Sequence, residues 1–383
     1  MTGTPLTIGF HPLVDCAPFA VAEAKGLFAE EGLEVTLSRE PSWSNIRDKL
    51  AYGVIDAAHM LAPMPLASAL GLGAGGGRLI VPMALGLNGD SVVVSSAIAA
   101  ALDAGNGPAA AAVSLAAHIR AGRAADRDPP VFAAPYPFSP QAYVLRDWLA
   151  AGGLDPDRDV TLVVVPPSRM ADMLKQGVLD GFCAGAPWGQ DAALEGAGRI
   201  LFSDPDFWGL KPEKVLGVSP RWASEEPDAL RALVRALLRA AQWADAPGNR
   251  VELAALLAQK DYVGAGADII AAALEGPLAS GLIFADAAAT FPWLSHAEWI
   301  VGQMVRWEQA PATTDAASLA RSVYRPDLWR TAAKDLGMST PSRDSKVEGV
   351  HGEPWTLSAA PQPIAMPADR FFDDRVFEPA AGA

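Results

Sequence analysis

The sequence predicts an α/β protein made of two lobes that face each other across a cleft. Strand-like and helix-like segments alternate along residues 6–219, which is typical of a mainly parallel sheet covered by helices. One segment occurs twice, because residues 49–59 (KLAYGVIDAAH) are paralleled by residues 173–183 (MLKQGVLDGFC). With 383 residues, half of them hydrophobic, the chain can bury two cores. We therefore expect two similar α/β units with a ligand site between them.

The first lobe is predicted to comprise residues 1–95. Its predicted strands are residues 6–10, 33–37, 55–58, Val81 and 92–94, and its predicted helices are residues 18–25 and 44–51. Gly26 follows the first helix and Ser44 can cap the second. The stretch 96–107 is rich in alanine and glycine, so we place the crossing into the second lobe there.

The second lobe is predicted to comprise residues 96–212. Its predicted strands are residues 131–134, 160–165, 178–182 and 199–202, and its predicted helices are residues 140–151 and 169–176. Gly185 and Pro187 follow the third strand at the start of a predicted helix. A glycine there lets an anion approach the free N–H groups of the first turn. An ordinary strand-to-helix turn has the same sequence, so both interpretations stay open.

The chain then returns to the first lobe through residues 213–335. A strand at residues 215–219 is followed by amphipathic helices, predicted at residues 227–244, 251–259 and 296–309. Residues 336–383 form a C-terminal extension rich in proline, serine, alanine and aspartate, which we expect to wrap the surface or to fray.

Composition excludes several classes of function. A formal net charge of −14 argues against nucleic-acid binding and against long-range attraction of anions. Cys16 and Cys183 have no metal-ligand spacing and are expected to be small buried hydrophobes. Residues 1–5 lack the basic and apolar regions of a secretory signal, and no apolar run approaches ~20 residues, so we expect a cytoplasmic protein without a membrane span.

No motif in the sequence indicates catalysis, a metal or a cofactor. The glycines of a G-x-G-x-x-G match, Gly71, Gly73 and Gly76, lie between a helix and a strand, which is the wrong order for dinucleotide binding. The sequence has no G-x-S-x-G elbow, P-loop or H-E-x-x-H. We therefore expect a binding protein that is not an enzyme. His11 and His59 end predicted strands, and each suits a cleft or a buried core.

Four groups could donate hydrogen bonds to an anion in the cleft. They are the indole of Trp43, the side chain of Gln141, the backbone at Gly185 and the ammonium of Lys214. Each residue also has an ordinary structural explanation, in which Trp43 packs in a core, Gln141 caps its helix and Lys214 is solvated at the surface. Only the convergence of all four groups in one place would distinguish ligand binding from these structural roles.

Several phrases of the sequence resemble one family. They are residues 22–28 (AEAKGLF), 58–65 (AHMLAPMP), 148–156 (WLAAGGLDP), 181–188 (GFCAGAPW), 299–307 and 371–374 (FFDD). Together they resemble the NrtA/CmpA-type solute-binding proteins of nitrate and bicarbonate ABC transporters, over nearly the whole chain. The resemblance implies a type II periplasmic-binding-protein fold, in which two α/β lobes close on one small anion.

The resemblance also implies a set of ligand-binding residues. Trp43, Gly185 and Lys214 match the family pattern, whereas Asp90 stands where the family has a glutamine and Gln141 where it has a histidine. The amide of Gln141 can still donate to an anion. An ionised Asp90 would repel nitrate by several kcal/mol in a buried site, unless it turns away or a backbone N–H takes over. Ala186 replaces a family glutamate, which argues against a bicarbonate and metal site, so nitrate or nitrite is the expected ligand.

Within the family, a member without a signal peptide resembles the NasS-type nitrate/nitrite sensors. Such a sensor is implied to hold a NasT-like RNA-binding antiterminator inactive until the anion binds, and so to regulate nitrate assimilation genes. Neither nucleic acid nor membrane would be a direct partner. Two alternatives remain: the substrate-binding subunit of a nitrate, bicarbonate or sulfonate ABC transporter, and an enzyme like the thiamine-pyrimidine synthases, which would need a reactive histidine and a cofactor lysine.

Overall fold

Two five-stranded sheets of the same design carry the fold. The computed structural model describes residues 3–73 and 77–380. Its strands are β1 Thr4–Phe10, β2 Leu33–Arg39, β3 Ala57–Leu61, β4 Ile80–Leu87, β5 Asp90–Val94, β6 Val131–Ala134, β7 Thr161–Val164, β8 Gly181–Gly185, β9 Arg199–Ser203, β10 Pro212–Val218, β11 Thr340–Pro341, β12 Trp355–Leu357, β13 Ala359–Ala360 and β14 Ile364–Met366.

Helices cover the sheets, and between residues 220 and 335 every regular element is a helix. They are α1 Ala17–Ala24, α2 Leu27–Glu30, α3 Trp43–Ala51, α4 Pro63–Ala69, α5 Ser96–Ala101, α6 Gly107–Ala124, α7 Pro140–Ala151, α8 Pro167–Lys175, α9 Trp188–Leu194, α10 Asp204–Phe207, α11 Pro220–Glu225, α12 Pro227–Asp245, α13 Arg250–Leu257, α14 Ala267–Leu274, α15 Leu294–Arg306, α16 Ala316–Val323 and α17 Pro326–Asp335.

The strand order shows that the two units repeat one topology. The first sheet has the order β2-β1-β3-β10-β4, and the second has the order β7-β6-β8-β5-β9. In each, three parallel strands are followed by two strands that run antiparallel to their neighbours. We call the first sheet with its helices lobe 1 and the second lobe 2. The repeated sequence segment leads into β3 in lobe 1 and into β8 in lobe 2, and each is the third strand in the order of its sheet.

The crossings between the lobes lie at short connections. β4 ends at Leu87 and β5 begins at Asp90, so the first crossing is at Asn88 and Gly89. It precedes the predicted boundary at residue 95, and the stretch 96–101 forms α5 instead of a linker. The second crossing leads from α10 to β10, which returns to the middle of the lobe 1 sheet.

Two local predictions differ from the structure for identifiable reasons. Ser42, not Ser44, caps α3, because its hydroxyl accepts from the N–H of Asn45 at 3.2 Å. Trp43 is therefore the first residue of α3. The third strand of lobe 2 is residues 181–185 instead of 178–182, since Val178 lies half-exposed in the turn that follows α8.

Each sheet has a hydrophobic core on both faces. In β5, Val92 and Val94 pack on one side and Val93 on the other. Lobe 1 is enlarged by the helices of the return segment, above all α12, which packs against α1. None of the helices in the described ranges is both long and apolar enough to span a bilayer.

The C-terminal extension is anchored instead of frayed. Phe371 stacks on Trp208, beside the second crossing, with ring centroids 4.5 Å apart. Asp147 of α7 in lobe 2 accepts hydrogen bonds from Arg306 of α15 at 2.7 Å and from Arg375 of the extension at 2.9 Å. One buried carboxylate therefore joins lobe 2, a lobe 1 helix and the extension.

We expect Asp147→Asn to lower the free energy of unfolding by about 1–3 kcal/mol, because it removes the negative charge and one of the two acceptor oxygens that two partly buried arginines use. Asp157→Asn is the matched control: Asp157 forms a bidentate pair with Arg146 but is 62% exposed, so its loss should cost less than ~1 kcal/mol. Urea unfolding of both variants checks this, and equal losses would show that Asp147 does not join the lobes.

Candidate functional site

Two buried lysines lie where the chain returns to lobe 1. Lys211 immediately precedes β10 and Lys214 lies within it, and each is only 1% exposed. A charge removed from water is tolerated only when ionic or hydrogen-bonding partners replace its hydration. The residues that compensate these two ammonium groups define the polar site between the lobes.

Glu213 is the central acceptor of this site. Its carboxylate accepts hydrogen bonds from Lys211 Nζ at 2.7 Å, from Gln141 Nε2 at 2.6 Å and from Lys214 Nζ. Gln141 lies in the first turn of α7, in lobe 2. The contact between Glu213 and Gln141 therefore bridges the cleft.

Asp90 contributes the lobe 2 wall of the site. It is the first residue of β5, and its carboxylate accepts from Gln141 Nε2 at 2.7 Å and from Lys211 Nζ at 2.8 Å. Gly185 is its neighbour across the sheet. A Cβ atom at Gly185 would lie 3.5 Å from Asp90 Oδ1 and 3.3 Å from Leu13 Cδ1, so a larger residue there would crowd the site.

On the lobe 1 side, Asp15 pairs with Lys214 Nζ at 2.8 Å. His59 Nε2 lies 3.1 Å from the other oxygen of Asp15, without the alignment of a hydrogen bond. The N–H of His11 points to His59 Nδ1 at 3.4 Å, which places the ring proton of His59 on Nε2. The Trp43 ring lies between these groups, with its centroid 5.6 Å from Lys214 Nζ and 5.5 Å from the His59 ring.

Four buried polar atoms around Lys214 lack an aligned hydrogen bond. Asp15 Oδ1 and His59 Nε2 face each other at 3.1 Å, whereas Trp43 Nε1 and Gln141 Oε1 have no partner. Buried polar groups are normally paired. A cluster of unpaired donors and acceptors around one lysine therefore marks the place where a small polar ligand would complete the network.

Burial and neighbouring charges shift the pKa values of the three carboxyl groups around Lys211 in different directions. Burial opposes ionisation of Asp90, but the ammonium groups of Lys211 and Lys214 hold its pKa below the usual value. Burial and the neighbouring charge of Asp90 raise the pKa of Glu213 to about 7. Burial also raises the pKa of Asp204, which lies 3.3 Å from Lys211, well above its usual range. The pKa of Glu213 thus lies near neutral pH.

The lysines are not suited to covalent chemistry. Burial would lower the pKa of Lys214, but the carboxylates of Asp15 and Glu213 outweigh it and raise that pKa. The pKa of Lys211 is likewise raised. A lysine that forms a Schiff base needs a depressed pKa and a free amine. Burial lowers the pKa of His11 to about 4, so this histidine is neutral at pH 7.

The structure brings together all five residues predicted to bind the ligand: Trp43, Asp90, Gln141, Gly185 and Lys214. Their role in binding stays a prediction. Asp90 does not turn away from the site, because Lys211 and Gln141 hold it there. Lys214, the lysine that could have been solvated, is buried.

Sequence reasoning missed Lys211, Glu213 and Asp15. A usable signal was present in residues 211–214 (KPEK), since three charged residues at the start of an otherwise apolar strand require partners. The helix-start hypothesis is corrected: Gly185 belongs to β8, and α9 is a seven-residue helix beyond it.

The remaining predictions concern the two cysteines, metal binding and the glycine motif. Cys16 and Cys183 are free and buried, as predicted. Within residues 3–73 and 77–380, no group of three or more His, Cys, Asp or Glu side chains is arranged to hold a metal ion. Gly71 and Gly73 follow α4, and the third glycine of that motif, Gly76, lies outside the described residues.

Residues 2–258 match the NMT1-like family. This stretch includes both sheets and all the residues of the polar site. The chain belongs to the NMT1-like family. Among relatives, nitrate import ATP-binding protein NrtC of Synechocystis is 35% identical over 87% of this chain and 50% of its own length. The chain thus spans about half the length of that relative.

A second relative matches along most of both chains. The nitrate/nitrite binding protein NrtA of Synechococcus elongatus is 32% identical over 89% of this chain and 80% of its own length. The crystal structure of the periplasmic nitrate-binding protein NrtA from Synechocystis superposes with a TM-score of 0.83 at 27% identity, over 98% of this chain and 96% of that one. The predicted periplasmic-binding-protein fold is confirmed.

We expect Lys214→Gln to lower the free energy of unfolding by about 3 kcal/mol, because Asp15 and Glu213 would lose the cation that they share in a buried site. Lys175→Gln is the control, since Lys175 and its partner Glu195 are both more than half exposed and their pair should contribute less than ~1 kcal/mol. Chemical denaturation at pH 8, where Glu213 is mostly ionised, makes the comparison. Similar losses in both variants would contradict the compensation described for the site.

Proposed function

We propose that this protein is an NrtA-like solute-binding protein that captures one nitrate or nitrite ion between its lobes. The observation that carries the proposal is the convergence of Trp43, Gln141, Gly185 and Lys214 from both lobes around unpaired buried polar atoms. The relatives named as nitrate/nitrite binding proteins support the same ligand class.

The indole of Trp43 is the donor best placed to contact the anion. Its N–H is buried and has no partner within the protein, while Lys214 lies over its ring. An anion beside Lys214 would satisfy that N–H and would interact with the ammonium charge. A hydrogen bond to a charged ligand contributes about 1.5–3 kcal/mol.

We expect Trp43→Phe to weaken nitrate binding by about tenfold or more, the effect of one charged hydrogen bond. Trp293→Phe is a close control, because the Trp293 N–H is also buried and unpaired but lies in a core beside Phe291, away from the cleft. Isothermal titration calorimetry of both variants compares them. Equal affinities would exclude a contact between Trp43 and the ligand.

The same calorimetry identifies the ligand. We expect one site for nitrate or nitrite per chain, and bicarbonate and a short alkanesulfonate serve as competitors. Bicarbonate is included because Gln141 Oε1 accepts no hydrogen bond in the protein. The hydroxyl of bicarbonate could donate a hydrogen bond to this oxygen, whereas nitrate has no hydrogen to donate. Binding of bicarbonate or the sulfonate without any response to nitrate and nitrite would reject the proposed ligand.

Two biological roles use such a site. The first is the substrate-binding subunit of a nitrate ABC transporter, which the NrtA relatives favour. The second is a cytoplasmic nitrate/nitrite sensor that holds a NasT-like RNA-binding antiterminator inactive until the anion binds. The relative NrtC, which is named as a nitrate import ATP-binding protein, is likewise connected with import.

The two roles predict different partners. For the sensor, we expect a RNA-binding antiterminator encoded beside this gene to co-elute with the purified protein without nitrate and to separate from it with nitrate. Lys214→Gln, which should bind nitrate poorly, should keep the complex intact at the same nitrate concentration. Neighbouring genes for a permease and an ATPase, together with the absence of a complex between this protein and an antiterminator, would instead establish the transport role.

A further inference from the structure

Glu213 already makes the contacts that an anion in this cleft would use. Its carboxylate accepts from Lys211, Lys214 and Gln141, and two of these three donors, Lys214 and Gln141, are the ones predicted to bind the ligand. Nitrate and a carboxylate are both planar groups that carry their negative charge on oxygen atoms. The chain therefore places its own anion among the donors of the proposed site.

The surroundings of Glu213 hold no spare positive charge. The charged and titratable groups that face it come from its own strand, from both lobes and from the crossings. They are Lys211 and Lys214 beside it, Asp90 of β5, Asp204 of α10, Asp15 before α1, His59 of β3 and His11 after β1. Burial raises the pKa of Asp204 well above its usual range, so the two ammonium groups are balanced by Asp90 and Asp15. An ionised Glu213 therefore already makes this buried group of charges negative.

We propose that Glu213 is an internal competitor in the cleft, which must take up a proton before an anion can bind to the lysines. Ligand binding then adds one anion and one proton together. The proton comes from solvent and binds to a carboxylate oxygen of Glu213, which leaves Lys214 and Gln141 free to contact the ligand. This inference rests on the proposed function of anion binding in the cleft.

The titration of the neighbouring groups supports the coupling. Because burial and Asp90 raise the pKa of Glu213 to about 7, this carboxylate is protonated at lower pH, and an anion can then bind without a further proton. At higher pH it is ionised, and each anion bound requires a proton to be taken up. Burial keeps His11 and His59 neutral, with lowered pKa values, and both lysines stay charged. Burial also raises the pKa of Asp204, but its carboxylate lies against the N–H of Asp90 and Lys211. Glu213 is therefore the carboxylate whose protonation would release Lys214 and Gln141.

The inference predicts a specific pH dependence for nitrate, which has no proton to exchange near neutral pH. From pH 7, the pKa to which Glu213 is raised, upward, we expect the dissociation constant to rise by about tenfold per pH unit, since one proton is linked to one anion. Calorimetry in two buffers of different ionisation enthalpy should then report close to one proton taken up per nitrate at about pH 8.5, and much less at about pH 6.

Glu213→Gln tests the assignment to this residue. The variant cannot ionise at position 213, so we expect nitrate affinity that is nearly constant across the same pH range and exceeds that of the unsubstituted protein about tenfold or more at high pH. Glu348→Gln is the matched control. Glu348 is also fully buried and paired with a lysine, Lys346, but it lies outside the cleft, and that lysine lowers the pKa of Glu348 to about 2 against the effect of burial.

The outcomes separate this inference from the proposed function. Tight nitrate binding that does not change between about pH 6 and 8.5, without proton uptake, would overturn the role of Glu213 and leave the proposed function intact. The absence of nitrate binding at every pH, in the unsubstituted protein and in Glu213→Gln, would reject both. Because proton uptake is measured on the unsubstituted protein, the test does not depend on the folding of a variant.

Discussion

The compensation of two buried ammonium groups is the constraint on which the cleft depends. Lys211 and Lys214 lie beside the crossing between the lobes, where water is excluded. In such surroundings an unpaired charge costs several kcal/mol, and its partners must come close enough to replace its hydration. Asp15 and Asp90, one from each lobe, provide that balance. The relative position of the lobes is therefore set partly by electrostatics as well as by apolar packing.

The outer side of the interface has a second, independent connection. Asp147 in lobe 2 binds one arginine from α15 and another from the extension, while Phe371 covers Trp208 near the second crossing. Here the arginines retain contact with solvent, so each pair contributes less than a fully buried one. The inner network lines the cleft, and the outer contacts hold the extension across both lobes.

The sequence predicted the architecture more completely than it predicted the chemistry of the site. β6 and α7 occupy their predicted residues, because Pro140 and Gly152 mark the limits of α7 in the sequence itself. The third strand of lobe 2 was misplaced because Val178 and Leu179 are as apolar as strand residues, although they form the turn after α8. These are local signals, and local signals determine where elements begin and end.

The ionic network is not local. Lys211 donates a hydrogen bond to Asp90, which is 121 residues away in the sequence, and Gln141 donates one to Glu213, which is 72 residues away. Residue types and spacing do not show which carboxylate will lie against which lysine, so Glu213 and Asp15 went unrecognised. The resemblance to a family identified Trp43, Gly185 and Lys214 by position. It gave no information about Glu213, because the contacts of that residue depend on how the two lobes of this chain pack against each other.

The position of β10 has a consequence for how the chain folds. β10 lies between β3 and β4 in lobe 1 and is made only after all the strands of lobe 2. During synthesis, the five strands of lobe 2 are complete at Ser203, while the lobe 1 sheet still has a gap between β3 and β4. Lobe 2 can therefore assemble first, and lobe 1 is finished by the strand that carries Lys214. Of the ten strands in the two sheets, the one that carries Lys214 is synthesised last, so the site is complete only when both lobes are joined.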